Sequence, residues 1–163
     1  MSEKKVLVIS DTHGRTDNLD KILPRVKPLD QLIHLGDVGR DTDYIEVVAE
    51  CACCFVAGNN DFYSELPRER MIKLNGVPIF LTHGHYYYVN SRKDFVRSAA
   101  VQRGAKIALF GHTHVPYLEE EGGILVANPG SLSLPRQADH RPSYMLLFIG
   151  EDGSFRVEQC YVD

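Results

Sequence analysis

The chain has no apolar run approaching the roughly 18 residues that a membrane-spanning helix requires, which argues against a bilayer-embedded protein. It has no signal-peptide core either. Met1 to Lys5 lead directly into a strand-like segment, so the expected compartment is the cytoplasm. Positive charge is not in excess. A formal net charge of −4 argues against bulk nucleic-acid binding, which calls for a basic face, yet leaves room for a small phosphorylated substrate held through metal. Cysteine is scarce, with four in all. Cys51, Cys53 and Cys54 run into one strand-like segment, and Cys160 lies far away. Adjacent cysteines on a strand point to opposite faces and make poor partners for one ion. They read as small buried apolar residues in a reducing compartment. Repeats, low-complexity stretches and linkers are also lacking. What remains is a chain of 163 residues, 44% hydrophobic and 25% charged, which fits a single domain over 1–163 with a sizeable core.

The first half alternates strand and helix signals. Residues 5–10 form a continuous apolar strand, as expected when both faces are covered. Thr16 is placed to cap a helix reaching about Val26, with Asp17 and Asp20 in its first turns; Pro24 blurs its end. Residues 31–35 make a second buried strand, Asp41-Thr42-Asp43 opens a helix through about Cys51, and residues 52–56 make a third strand. This rhythm predicts a parallel sheet with crossover helices. After Asp61 it changes. Residues 70–74 and 77–82 flank Asn75-Gly76, a two-residue hairpin signal. Ser91 reads as the cap of a helix through about Arg103 that carries Phe95, Val96, Ala99 and Ala100 inward. Residues 106–110 form a further buried strand. Segments 116–120, 123–127, 144–149 and 155–161 read as antiparallel strands joined at Gly122-Gly123 and Asp152-Gly153. An α/β first half before a β-rich second half suggests two packed sheets with helices outside.

Five short polar motifs close apolar runs. Asp11-Thr12-His13 follows residues 6–9 and Gly36-Asp37 follows 32–35. Gly58-Asn59-Asn60-Asp61 follows 54–56, Thr82-His83-Gly84-His85 follows 79–81, and Gly111-His112-Thr113-His114 follows 107–110. If those strands share a sheet, all five loops emerge at one rim, where open α/β sheets carry their sites. That rim would collect Asp11, His13, Asp37, Asn59, His83, His112 and His114, which suits two cations better than one. Asp11 and His13 can reach one cation if the loop turns sharply, which Gly14 permits. Gly36 and Gly58 let the backbone come close while Asp37 and Asn59 project. A carboxylate can bridge two ions, and His112 and His114 can serve adjacent ones. Nitrogen and oxygen ligands without thiolate favour Mn²⁺, Fe, Zn²⁺, Co²⁺ or Ni²⁺ over Ca²⁺ or Mg²⁺ alone. Two such ions roughly 3.5–4 Å apart would acidify a water, polarise phosphoryl oxygens and hold phosphorus in line, with no protein nucleophile required.

The order D-x-H, G-D, G-N-x-D, H-G-H, G-H-x-H resembles the calcineurin-like metallophosphoesterases. The short length, Gly58-Asn59-Asn60-Asp61 and Asn128-Pro129-Gly130-Ser131 are similar to the small single-domain YfcE-type phosphodiesterases. The resemblance spans residues 6–161. It implies an α/β fold, a four-layer αββα sandwich of two mixed sheets, and a centre of two divalent metal ions. Mn²⁺ is the leading candidate, with Fe, Zn²⁺, Ni²⁺ and Co²⁺ as alternatives. By matching motifs, Asp11, His13 and His114 would fall on one metal, Asn59, His83 and His112 on the other, and Asp37 would bridge them. The implied activity is phosphodiester hydrolysis of a small or medium phosphoester through a hydroxide bridging the two ions. A phosphomonoesterase or nucleotide pyrophosphatase on the same centre is the second enzyme reading. A third is an interaction scaffold, as in the metallophosphoesterase-like subunit of retromer; here a residue able to coordinate stands at every ligand position, which favours catalysis. Whether the chain forms a homo-oligomer is left open.

One position departs from the pattern. Many members of the larger superfamily carry Gly-Asn-His at the third motif, and that His is held to protonate the leaving group or grip the phosphate. Here Asn60 stands there, with no titratable proton. A preference for activated diesters over alkyl monoesters is therefore expected, with Asn60 donating a hydrogen bond to phosphate. His85 reads either as a replacement acid or, preferably, as a partner orienting His83. His34 is expected to be buried and structural, His140 solvated, and Asp61 an acceptor behind the ligands or a turn residue. Arg15 and Arg136 are candidate phosphate contacts through their guanidinium groups; ordinary surface placement is equally open. The resemblance puts Asn128 to Ser131 near the site. Tyr86-Tyr87-Tyr88 offers either buried rings or an aromatic lip for a base or aryl group.

Overall fold

A computed structural model describes residues 3–62 and 64–163. Its organisation follows from the two-residue period of β1 (Lys4–Ile9). Val6 and Val8 face one way, Leu7 and Ile9 the other, and all four are fully buried. A strand apolar on both faces needs a layer on each side. One layer is helical. The crossovers α1 (Asp17–Val26), before β2 (Gln31–His34), and α2 (Thr42–Ala49), before β3 (Ala52–Phe55), bury Leu19, Ile22, Leu23, Val26, Ile45 and Ala49 against Leu7, Ile9 and Leu32.

The other layer is a second sheet, built from the hairpin β4 (Glu69–Leu74) and β5 (Val77–Thr82), then β6 (Ile107–Leu109), β7 (Tyr117–Glu121) and β8 (Ile124–Asn128). Its inner face sets Ile79, Leu81, Ile107 and Leu109 against Val6, Val8 and Ile33. Its outer face carries Phe80, Ala108 and Val126, covered by Val96, Ala99 and Ala100 of α3 (Asp94–Gln102). The chain then returns to the first sheet through β9 (Ser143–Ile149) and β10 (Phe155–Tyr161). The strand orders are β10-β9-β1-β2-β3 and β4-β5-β6-β8-β7. Helix, sheet, sheet, helix is the four-layer αββα sandwich expected from the motif resemblance.

Several expectations change. The five motif-bearing runs do not share a sheet: β1, β2 and β3 lie in the first, β5 and β6 in the second. The loops still meet, because β1 to β3 are mutually parallel, as are β5 and β6, and both sets end at the same rim. The late strands are not all antiparallel, since β8 pairs parallel with β6. Thr16 precedes α1 without a side-chain cap bond, and the helix runs through Pro24 to Val26. Ser91 does not cap α3, which starts at Asp94 after Lys93. Phe95 faces outward, 41% exposed. It lies one residue off the Val96, Ala99, Ala100 stripe and packs under the Arg92 guanidinium, 4.1 Å from its ring centroid. Among the described residues no helix is long and apolar enough to cross a membrane.

Leu81 is fully buried between the sheets. Leu81→Ala is expected to lower unfolding free energy by about 2–5 kcal/mol, read from urea denaturation. A loss below about 1 kcal/mol would mean that the inter-sheet layer is not the principal core.

Candidate metal centre

The loops at the rim turn through backbone that side-chain-bearing residues rarely adopt. Asp11 (φ 55°), His13 (51°), Asp37 (56°), His112 (72°) and His114 (62°) are all left-handed. Such conformations persist only where the surroundings over-determine them. Asp61 supplies much of that restraint. Its buried carboxylate accepts from the backbone N–H groups of Asp37 (2.8 Å), Gly58 (2.9 Å), Val38 (3.3 Å) and Gly39 (3.3 Å), the acceptor role expected from sequence. His34, also fully buried, ties the first two loops. Gly36 N–H donates to its Nδ1 (3.1 Å), so the ring proton sits on Nε2 and is donated to Thr12 Oγ1 (2.9 Å). Burial dominates and pushes its pKa down to about 3. His140 is exposed, as expected.

Asn128 to Ser131 act from beneath. Asn128 Nδ2 donates to Gly111 O and Thr113 Oγ1, each at 3.0 Å, and Ser131 Oγ donates to Asp11 O at 2.8 Å. Two glycines let the loops close up. A Cβ on Gly58 would sit 2.1 Å from Asp37 Oδ1, and one on Gly111 would sit 2.1 Å from Ser10 Oγ and 2.8 Å from Asp11 Oδ2.

The side chains so held form two groups that meet at Asp37. Asp11 Oδ1 lies 3.3 Å from His114 Nε2 and 3.9 Å from His13 Nε2, and those two nitrogens are 3.3 Å apart. In the other group Asn59 Oδ1 lies 3.1 Å from His83 Nε2 and 3.2 Å from His112 Nδ1. Asp37 Oδ2 is 3.5 Å from both His13 Nε2 and His83 Nε2. The structure therefore brings together all seven residues singled out in the motifs.

The donor set can be tested for a cation. His83 Nδ1 is 2.7 Å from Leu35 O and His114 Nδ1 is 2.6 Å from Leu134 O. A carbonyl only accepts, so both Nδ1 atoms carry protons, and in its neutral form each ring turns an Nε2 lone pair inward. His83 Nε2 then faces the Asn59 amide oxygen, Asp37 Oδ2 and, at 3.6 Å, Asp11 Oδ1. Acceptors converging on acceptors require positive charge among them. Asp11 Oδ1 states the same need: it is buried and has no hydrogen-bond partner among the described residues. Ligand atoms of Asp11, His13, Asp37 and His114 all lie within 4.8 Å of one another. These residues fit a divalent cation with mixed nitrogen and oxygen ligands.

The electrostatics agree. Protons on the imidazoles can supply the same positive charge: burial pushes the Asp11 carboxyl up, but protonated His114 and His83 beside it outweigh that, and its pKa falls below the ordinary range. Asp37 is lowered likewise: burial opposes, and the hydrogen bond and charge of His83, with the Asn60 donors, prevail. His83 moves up, its burial overcome by Asp37 and Asp11. The site keeps two buried carboxylates ionised.

The remaining candidates lie around this cluster. Asn60 donates to Asp37 twice, from its backbone N–H to Oδ1 (2.9 Å) and from Nδ2 to Oδ2 (3.0 Å). His85 does not orient His83, because the Leu35 carbonyl already holds that ring's Nδ1. It packs instead with its centroid 5.4 Å from that of His83, and burial, followed by the His83 and His112 charges, lowers its pKa to about 4. A ring that is neutral at pH 7 is poorly suited to replace the missing acid. Arg15 and Arg136 are exposed; the Arg136 backbone N–H donates to His114 O at 3.0 Å. Sequence reasoning missed Ser10, whose Oγ donates to Asp11 Oδ2 at 2.6 Å, and the two histidine-orienting carbonyls. A serine closing an apolar strand was the only signal for the first, and main-chain carbonyls leave none.

Stacked mixed sheets with a rim of histidines and carboxylates mark a metallophosphoesterase-type α/β protein. Residues 5–152 match the calcineurin-like phosphoesterase superfamily domain, and the chain belongs to that superfamily. It is 33% identical over 150 residues to a probable metallophosphoesterase of Mycoplasma pneumoniae, covering 90% of this chain and 91% of that one. Among solved structures, a predicted phosphoesterase from Streptococcus pneumoniae superposes with a TM-score of 0.78 at 29% identity, over 99% of both chains. Wild-type Vps29 of Entamoeba histolytica, in complex with Zn²⁺, gives 0.78 at 25% identity, over 98% of this chain and 99% of that one.

Two outcomes follow from this geometry. Asp61→Ala strands four backbone donors and is expected to lower stability by at least about 3 kcal/mol. It should also weaken Mn²⁺ binding by about tenfold or more in calorimetry; a variant matching the parent in both would remove the role given to Asp61. The second concerns pH. As pH falls through about 6.5 the unfolded chain protonates at His34, whereas the folded chain does so only near 3. The stability this provides is complete above pH 6.5 and lost as pH falls, by about 1.4 kcal/mol per unit. Bound cations would depress the pKa further and keep the sign. Denaturation midpoints at pH 7.5 and 5 should therefore diverge less in His34→Gln than in the parent; equal slopes would contradict a neutral buried His34.

Proposed function

We propose that the chain is a cytoplasmic, single-domain metal-dependent phosphodiesterase acting on a small or medium phosphoester. The convergence of lone pairs and carboxylate oxygens on Asp11 Oδ1 and Asp37 Oδ2 carries this reading. Asp11, His13 and His114 would hold one divalent cation and Asn59, His83 and His112 a second, with Asp37 between them; Mn²⁺ is the first candidate. Bound there, such ions supply Lewis acidity to phosphoryl oxygens and lower the pKa of water toward neutrality. The chain's own groups do the rest. The Leu35 and Leu134 carbonyls fix the tautomers and planes of His83 and His114. Asn60 spends one Nδ2 hydrogen on Asp37 and offers the other to a phosphate oxygen. Arg15 and Arg136, both exposed and close in sequence or by backbone hydrogen bond to ligand loops, would serve as guanidinium donors for a charged ester. Asn60 cannot protonate a departing oxygen, so leaving groups that are stable as anions are favoured, as in aryl diesters. A protein-interaction scaffold is the second reading, prompted by the likeness to Vps29. The complete ligand set supports catalysis over it.

With added Mn²⁺, bis(p-nitrophenyl) phosphate is expected to turn over faster than p-nitrophenyl phosphate, and chelation to abolish both activities. Asp37→Asn should cut kcat/KM by about 100-fold or more. A strong monoester preference would remove the diesterase assignment. An inert, metal-loaded protein would favour the scaffold.

A further inference from the structure

A cleft opens beside the centre that the hydrolytic reading leaves unused. Its volume is about 300 Å³, at the lower end of small-molecule sites, roughly 300–1,000 Å³. It runs from Asn59, in the ligand cluster, to Phe62, Arg68, His85 and Tyr86. This wall differs in chemistry from the rest of the rim. Phe62 is 87% exposed and Tyr86 57% exposed, two large rings facing one concavity. The Arg68 guanidinium lies 4.9 Å from the Tyr86 ring centroid, and the His85 ring packs on the same tyrosine at 4.2 Å. His85 Nδ1 is buried and has no hydrogen-bond partner among the described residues.

The tyrosine triplet sorts itself by position. Tyr87 turns inward, edge-on to Phe80 at 6.2 Å and hydrogen-bonded to Glu69. Tyr88 pairs with Phe95 at 6.1 Å. Tyr86 lines the cleft. Core packing accounts for Tyr87 but not for Tyr86, whose visible partners are a cation and an imidazole on the cleft wall.

We infer that this cleft is a subsite for a flat aromatic arm of the phosphoester, a nucleobase or an aryl ring, seated by Phe62, Tyr86 and Arg68 while its phosphate lies at the Asn59 end. The inference rests on the phosphoesterase reading and adds its specificity determinants. A planar ring can stack on the exposed aromatics and present a π-face to the guanidinium, which an alkyl arm cannot. Arg68 adds positive charge at the mouth of a cleft leading to a phosphate site, so both ends of one ligand are recognised.

Calorimetric titration of the Mn²⁺-loaded full chain with phenyl phosphate, adenosine 5′-monophosphate and methyl phosphate tests this without relying on turnover. Both aromatic esters are expected to bind at least about fivefold more tightly than methyl phosphate. Tyr86→Ala and Arg68→Ala should each bring that ratio below about twofold, and Tyr86→Phe, which keeps the ring, should retain it. These side chains are exposed, so the variants are expected to fold. The tighter of the two aromatic ligands tells a nucleobase from a simple aryl arm. Equal affinity for all three ligands overturns the subsite and leaves the hydrolytic reading standing. An aromatic preference with no turnover of any phosphoester overturns the hydrolytic reading and leaves the subsite. No binding of any of the three overturns both.

Discussion

A carboxylate taken out of water must find charge or hydrogen bonds, or it does not stay ionised. Asp11 is fully buried, and the environment of its two oxygens is unequal. Oδ2 accepts from Ser10 and from the His112 backbone, whereas Oδ1 faces only imidazole nitrogens. That single unsatisfied oxygen gives the rim its purpose. The left-handed residues, the four donors gathered by Asp61 and the carbonyls that turn His83 and His114 all act to keep acceptors pointing at one another. Without positive charge such an arrangement is repulsive. With a cation it becomes a set of ligands already in place.

The centre also straddles the two sheets. Asp11, His13, Asp37 and Asn59 follow strands of the first, and His83, His112 and His114 follow strands of the second. Neither sheet holds a complete set. The apolar layer of Val6, Val8, Ile33, Ile79, Leu81 and Leu109 therefore does more than stabilise the fold. It fixes the separation of the two half-sites, so a cavity far from any ligand would be felt as a loosened centre.

The aromatic cleft fits the same logic at lower precision. The candidate ligands sit on loops locked by buried hydrogen bonds. Phe62, Arg68 and Tyr86 sit outside that lock and are exposed, as suits groups that select a ligand rather than react with it. The proposed site would thus be set at one end by electrostatics and at the other by stacking.

The sequence alone was enough to single out the seven residues that converge at the rim, the strand that precedes each motif and the αββα expectation. Those rest on local signals: a period of two in β1, the Asn75-Gly76 turn, and histidines or carboxylates at strand ends. Asp61 and His34 were legible as supporting residues, though their partners were not. Tertiary structure alone decided that the motif strands divide between two sheets, that β8 runs parallel to β6, that Phe95 faces outward, and that Leu35 O rather than His85 orients His83. The reason is physical. Periodicity reports which face of an element is apolar but not which other face will cover it, and main-chain carbonyls are the same at every position until the fold aims one at a ring.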